Sequence, residues 1–202
     1  MDRDEPRFAR ATVEMNERGS WAVPYFNGEY RFDKPPLTYW CMEPGLLLFG
    51  KTEIGARLHS LVASWVIALV LYELVVLMGG RRGQGFVAGA GWLTCLQVIL
   101  HGRLAVADVL LIVWVALAML CLVKIGRRVE QRWLVLDRWF LGLVGSLALG
   151  FLAKGPLVFL VPGFAIGLGW LALWSGQQSG RKPLAVCAVN LAAAVLPSLA
   201  LV

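Results

Sequence analysis

Five residues carry charge where a charge needs a reason: Asp4, Asp33, Lys34, Asp108 and Lys154. Asp108 sits inside an apolar run, and a carboxylate at that depth costs at least ~2.5 kcal/mol even on lenient insertion scales, so it needs a partner or a purpose. Arg103, about one helical turn earlier, is available as a structural partner. Lys154 lies between two short apolar runs and is followed by Gly155-Pro156. It either snorkels to the interface or holds a lipid phosphate. Asp4 and Asp33 each precede prolines that suit the first turn of a helix, so each reads first as a helix cap, and Lys34 as a headgroup contact. Glu73, near the inner end of its span, reads as structural.

The elements that must position these groups are helices in lipid. Of 202 residues, 58% are hydrophobic and 16% charged, and the mean hydropathy is +0.68. A hydrocarbon layer of roughly 30 Å takes about 20 helical residues to cross. Apolar runs at 58–78, 86–102, 104–123, 139–153, 156–174 and 184–202 predict about six transmembrane helices. The fold class is therefore an all-α polytopic membrane protein. The chain divides into a polar segment, 1–57, with interfacial helices, and a helix bundle, 58–202.

The net charge of +6 does not point to nucleic acid. Residues 1–57 hold eight Lys/Arg against nine Asp/Glu, and the excess comes from three short connections: Arg81-Arg82; Lys124, Arg127, Arg128, Arg132 and Arg138; and Arg181-Lys182. Every second connection is basic, as the positive-inside rule predicts for a multi-pass chain. With those connections in the cytoplasm, residues 1–57, the 101–104 turn and the Lys154-Gly155-Pro156 turn all lie outside. Three polar sites then share one face. Cys41, Cys95, Cys121 and Cys187 show neither disulfide framework nor zinc spacing. The topology asks for a span before Met1, and Val202 ends at the margin of a hydrophobic run, so a fragment is expected.

Within the polar segment, Asp4-Glu5-Pro6 opens a helix whose weakly apolar face is Phe8, Ala11, Thr12 and Met15 and which Gly19 ends. Such a helix is suited to lie on the membrane surface. An aromatic connection with an Asn27-Gly28 turn follows. A second helix starts at Asp33-Lys34-Pro35-Pro36 and presents Leu37, Trp40 and Cys41 on one side.

Asp4-Glu5-Pro6-Arg7-Phe8-Ala9, Asn27-Gly28, Phe32-Asp33-Lys34-Pro35-Pro36-Leu37-Thr38-Tyr39-Trp40, Phe49-Gly50 with Ala56-Arg57-Leu58, Gly102-Arg103-Leu104 to Asp108, and Lys154-Gly155-Pro156 occur in that order. In this the chain resembles the aminoarabinose transferase and protein mannosyltransferase group of membrane glycosyltransferases, which have the GT-C fold. The match covers nearly the whole chain. The resemblance implies an inverting transferase of the bacterial inner membrane, its active face extracytoplasmic. It would move a sugar, 4-amino-4-deoxy-L-arabinose or a hexose, from a polyprenyl-phosphate donor to a lipid or protein acceptor. It makes Asp4 the catalytic carboxylate, as general base or orienter of the acceptor nucleophile. It gives Lys34 the donor phosphate, with Arg7, Arg103 and Lys154 as further cations, and makes Asp108 and Glu5 acidic groups of the cavity. Asp33, where the family often has Glu, would take a divalent metal ion through an arm one methylene shorter. His59, where the family often has Pro, reads as a span-end residue, and His101 as a metal candidate without ligand spacing. The competing readings are a catalytically inactive remnant or scaffold of the same fold, and a transporter. Against the transporter, the spans show no inverted repeat with paired broken helices.

Overall fold

The computed structural model describes residues 5–31, 34–101, 104, 107–127, 136–172 and 181–202. The first helix, α1 (Glu5–Arg18), is followed by a two-stranded hairpin, β1 (Tyr25–Phe26) and β2 (Glu29–Tyr30). The helices that come next are α2 (Leu37–Phe49), α3 (Glu53–Leu77), α4 (Arg82–Thr94), α5 (Leu96–His101), α6 (Ala107–Gly126), α7 (Arg138–Lys154), α8 (Leu157–Ala172) and α9 (Arg181–Ala200).

Phe8, Ala11, Thr12 and Met15 of α1 are all buried, as their 3.6-residue spacing requires. Gly19, at φ +63°, ends the helix, and the Ser20 N–H reaches back to the Met15 carbonyl at 3.1 Å, a left-handed C-terminal cap. What covers the apolar face differs from the expectation of a lipid surface. It packs on Tyr39 and Met42 of α2, Ala56 of α3 and Ala107 of α6, with the Phe8 and Tyr39 rings 5.6 Å apart. Burying Phe8 and Met15 contributes about 1.5–3 kcal/mol each, enough to favour protein over headgroups as the neighbour.

The hairpin pairs Tyr25 with Tyr30 and Phe26 with Glu29. Its turn needs positive φ at both central residues, and Asn27 (+53°) and Gly28 (+84°) supply it. Two paired residues per strand do not hold a hairpin alone. Glu14 of α1 does, its carboxylate accepting the Asn27 and Gly28 N–H groups, each at 3.1 Å, and the Arg10 guanidinium at 2.8 Å. Burial pushes the Glu14 carboxyl up, but the Gly28 and Asn27 amides and Arg10 outweigh it and leave the group below its ordinary value.

The buried side of α2 is Leu37, Thr38, Tyr39, Met42, Glu43 and Gly45; of the expected Leu37, Trp40 and Cys41, Leu37 is buried and Cys41 packs against its cluster, and Trp40 departs. Trp40 turns outward, where its indole N–H donates to the Trp21 carbonyl at 2.8 Å. The N-cap position belongs to Pro36, and Asp33, expected as a cap, lies outside the described residues. The elbow into α3 is tight: a Cβ on Gly55 would stand 2.8 Å from the Gly45 carbonyl oxygen and 2.7 Å from that of Gly50.

Each expected span contains helix. Among the described residues three helices are, by length and composition, long and apolar enough to cross a membrane, within Glu53–Leu77, Ala107–Gly126 and Pro183–Ala200. The expected 86–102 span is two helices, broken at Cys95. The bundle core joins α6, α7, α8 and α9 through Leu122, Ile125, Leu143, Leu147, Val158 and Val186.

Ion pairs mark both ends of the bundle. At one, Lys154 of α7 meets Asp108 of α6; at the other, Lys124 of α6 meets Glu73 of α3 at 2.8 Å. Sixteen residues of α6 separate the two, about 24 Å, comparable to the hydrocarbon thickness. Glu73 thus has the structural role read for it. The start of α9 lies beside the end of α6, where the Cys187 thiol reaches the Leu122 carbonyl at 3.3 Å. Arg81-Arg82, Lys124, Arg138 and the start of α9 therefore gather at the Glu73–Lys124 end.

Because Glu14 is held below the ordinary carboxylate range when folded, the stability it lends is present above that range and lost as pH falls through its folded value. Amide exchange at Asn27 and Gly28, corrected for intrinsic rate, should accelerate as pH drops below about 4. In Glu14→Gln it should be fast at every pH. A wild-type-like profile in that variant would contradict the clamp.

Candidate active site

The family-matching groups collect at the end opposite the basic connections. Leu37, at the head of α2 and three residues after Lys34, shares one buried cluster with Val109 and Leu110, which follow Asp108, and with Ala153, which precedes Lys154. Phe8 and Tyr39 share another with Ala107. Lys34, Asp108 and Lys154 are thus brought to one end of the bundle, beside the first turns of α1. Lys34 is half-buried just before α2, and Arg7 is exposed on α1. Asp4, Asp33 and Arg103 lie outside the described residues, as does the His101 side chain.

Asp108, for which the sequence offered Arg103, takes Lys154 across the α6–α7 interface. The ammonium has three donors, so one contact leaves others for an anion. Neither side chain is sealed off: Lys154 keeps 32% and Asp108 60% of its side-chain surface. A charged pair open on one side at the end of an apolar bundle can meet an anionic headgroup.

Glu5, the first residue of α1, is buried and held by Arg57 of α3, with Nε to Oε1 at 2.5 Å and Nη2 to Oε2 at 3.0 Å. The remaining guanidinium arm meets Glu53 at 3.0 Å. This two-point grip is the geometry a planar guanidinium gives a carboxylate. It fixes where α1 begins. The pair lines a cavity of about 370 Å³ between α1 and the α2–α3 elbow, whose walls do not include Asp108. A second cavity, of about 380 Å³, is apolar and runs between α2, α3 and α6 past Cys41, Pro44, Val62, Val66, Val113 and Leu117. His59 also lines it; its Nε2 lies 3.2 Å from the Ser60 hydroxyl, which donates to the Leu104 carbonyl at 2.7 Å. Among the described residues no three His, Cys, Asp or Glu side chains converge to hold a metal ion.

Three residues of this end carried no assigned role in the sequence reading. Arg57 stood in the Ala56-Arg57-Leu58 motif, four residues after Glu53, but nothing local names Glu5 as its partner. Glu14 is an ordinary helical glutamate until the hairpin folds onto it. Arg31, nearly buried, stacks over the rings of Phe8 at 5.1 Å and Phe26 at 5.6 Å, contacts that join distant stretches of chain.

Helices of membrane-spanning length, charge at the two margins and an ordered polar segment docked on one end define a polytopic membrane protein with its polar site at one bundle end. The chain belongs to the dolichyl-phosphate-mannose-protein mannosyltransferase family, which it matches over residues 33–200. Among curated relatives it is 31% identical to the undecaprenyl phosphate-alpha-4-amino-4-deoxy-L-arabinose arabinosyl transferase of Yersinia enterocolitica, over 79% of this chain and 28% of that protein. It is 32% identical to the enzyme of the same name in Erwinia tasmaniensis, over 85% of this chain and 30% of that protein. The chain therefore spans under a third of the length of these relatives. ArnT from Cupriavidus metallidurans, in crystal structures bound to undecaprenyl phosphate and in the apo state, superimposes with TM-scores of 0.70 and 0.68 at 23% and 24% identity. Each comparison covers 99% of this chain and 37% of that one. The fold is the GT-C fold expected from the motifs.

Arg57→Ala should leave the buried Glu5 carboxylate without its counter-charge and destabilise the protein by about 3 kcal/mol. Pairing it with Glu5→Gln should recover part of that loss in thermal unfolding. Equal stability of the single and double variants would show that the pair is not coupled.

Proposed function

We propose that this chain carries the donor-binding and catalytic part of a membrane glycosyltransferase that moves a sugar, 4-amino-4-deoxy-L-arabinose or a hexose, from a polyprenyl phosphate to a lipid or protein acceptor. The observation that carries the reading is the convergence of Lys34 and the Asp108–Lys154 pair at one end of the bundle, beside the helix that Asp4 precedes. Two further facts support it. Relatives sharing about a third of their residues over four-fifths of the chain are named as undecaprenyl-phosphate aminoarabinose transferases. The apolar cavity between α2, α3 and α6 suits an isoprenoid stretch.

In this reading the acceptor hydroxyl attacks the anomeric carbon from the face opposite the phosphate, and the bond from that carbon to the phosphate oxygen breaks, inverting the configuration. Asp4 accepts the hydroxyl proton or orients the nucleophile. Charge grows on the leaving polyprenyl phosphate, and Lys34 and Lys154, with Arg7 and Arg103, offset it. Asp108 keeps Lys154 aimed along the α6–α7 seam when no phosphate is present. Glu5, bound to Arg57, sets the start of α1 next to Asp4. The divalent ion expected at Asp33 has no ligand set among the described residues, so no step is assigned to it. The end carrying this site faces away from the cytoplasm, because the basic connections occupy the other.

Asp4→Asn should lower transfer from an undecaprenyl-phosphate sugar by about 100-fold or more, at unchanged protein level in membranes. Lys34→Ala should raise the donor KM and lower kcat. Wild-type turnover in Asp4→Asn would remove Asp4 from the chemistry, and unchanged donor kinetics in Lys34→Ala would remove the lysine from the phosphate site.

A further inference from the structure

We propose that Glu14 is a positioning residue for donor binding, acting through the hairpin on Lys34. The inference rests on the donor-phosphate reading of Lys34 and adds to it the device that places that lysine. Lys34 stands four residues after β2 ends at Tyr30 and three before α2 begins at Leu37, so the hairpin constrains it from one side and α2 from the other. Two contacts fix the hairpin along α1. Near the C-terminal half of α1, the buried Glu14 carboxylate takes both turn amides, one on each oxygen. Near the N-terminal half, the Arg31 guanidinium that follows β2 stacks on Phe8, one turn after Asp4, and on Phe26 of β1. Glu14 and Phe8 are six residues apart on α1, about 9 Å. Two anchors at that separation fix both the place and the direction of the hairpin, four residues upstream of Lys34. A single anchor would leave the hairpin free to pivot.

The chemistry at the turn calls for an ionised carboxylate in particular. Two N–H donors from consecutive residues converge on one group, and only a carboxylate offers an acceptor oxygen to each while also pairing with Arg10. A glutamine fills the same space but can accept only through its single oxygen. The hairpin is further steadied by Arg18, whose guanidinium lies 4.4 Å above the Tyr25 ring. That contact sits on the same half of α1 as Glu14 and does not replace it.

The test compares wild type, Glu14→Gln, Lys34→Ala and the double variant in membranes, with an undecaprenyl-phosphate sugar as the varied substrate and the acceptor saturating, then with the roles exchanged. Glu14→Gln should raise the donor KM by about tenfold, the order expected for losing one charge-assisted hydrogen bond, with the acceptor KM unchanged. In the Lys34→Ala background, Glu14→Gln should add nothing to the donor KM, because its effect passes through the lysine. A general loss of folded protein would instead move both KM values, or the amount of enzyme, in either background. An unchanged donor KM in Glu14→Gln, or effects of the two substitutions that simply multiply, would overturn the proposal. If Lys34→Ala alone leaves donor kinetics unchanged, the donor reading of Lys34 fails first and the proposal falls with it.

Discussion

A charge in an apolar helix must find a partner, and in this fold the partner of Asp108 is Lys154. Their meeting joins the head of α6 to the tail of α7, and much of the geometry at that end follows from it. Ala107, Val109 and Leu110, which flank Asp108, are buried against α1, α2 and α3, and Ala153, which precedes Lys154, is packed in the same group. The Glu73–Lys124 pair does the corresponding work at the other end, where Lys124 also lies 4.2 Å from the Trp139 ring centroid. Such contacts suit an amphipathic side chain at a membrane margin.

The polar segment is held to the bundle by several kinds of force at once. An apolar face of α1 buries against α2 and the heads of α3 and α6. Arg57 grips Glu5 at its start, and an amide from Asn16 meets Glu43 of α2 at 2.5 Å. Burial pushes the Glu43 carboxyl up, against the Asn16 contact, which pulls it down. The polar segment is thus, through its described residues, a packed element whose first helix is held by contacts along its length.

Much of this was legible in the residues because local rules were obeyed. The spacing of Phe8, Ala11, Thr12 and Met15 gave the buried face of α1, Gly19 its end, and Asn27-Gly28 its hairpin. The apolar runs gave the helices of the bundle, of which three among the described residues are long and apolar enough to cross a membrane, and alternating loop charge gave the two ends. What could not be read depended on which elements pack together. Asp108 announced that it needed a partner, but Arg103 was near in sequence and Lys154 was 46 residues away, and only the α6–α7 contact decides for Lys154. On α2, Leu37 and Cys41 pack inward together as read, but Trp40 looks apolar while its indole N–H donates to the Trp21 carbonyl. The second helix also starts later than read, with its N-cap at Pro36. The break at Cys95 between α4 and α5 carries neither Gly nor Pro at the break itself, so hydropathy ran through it.

The dependence of the site end on one ion pair is tested most directly by exchanging its charges. Thermal unfolding would be followed in lipid nanodiscs for Asp108→Lys, Lys154→Asp and the double variant carrying both. Each single reversal sets two like charges against one another across the α6–α7 seam and should lower Tm by several degrees, while the exchanged pair should regain most of that loss. An exchanged variant no more stable than the worse single reversal would show that the two side chains do not act together and that the α6–α7 head is held by packing alone.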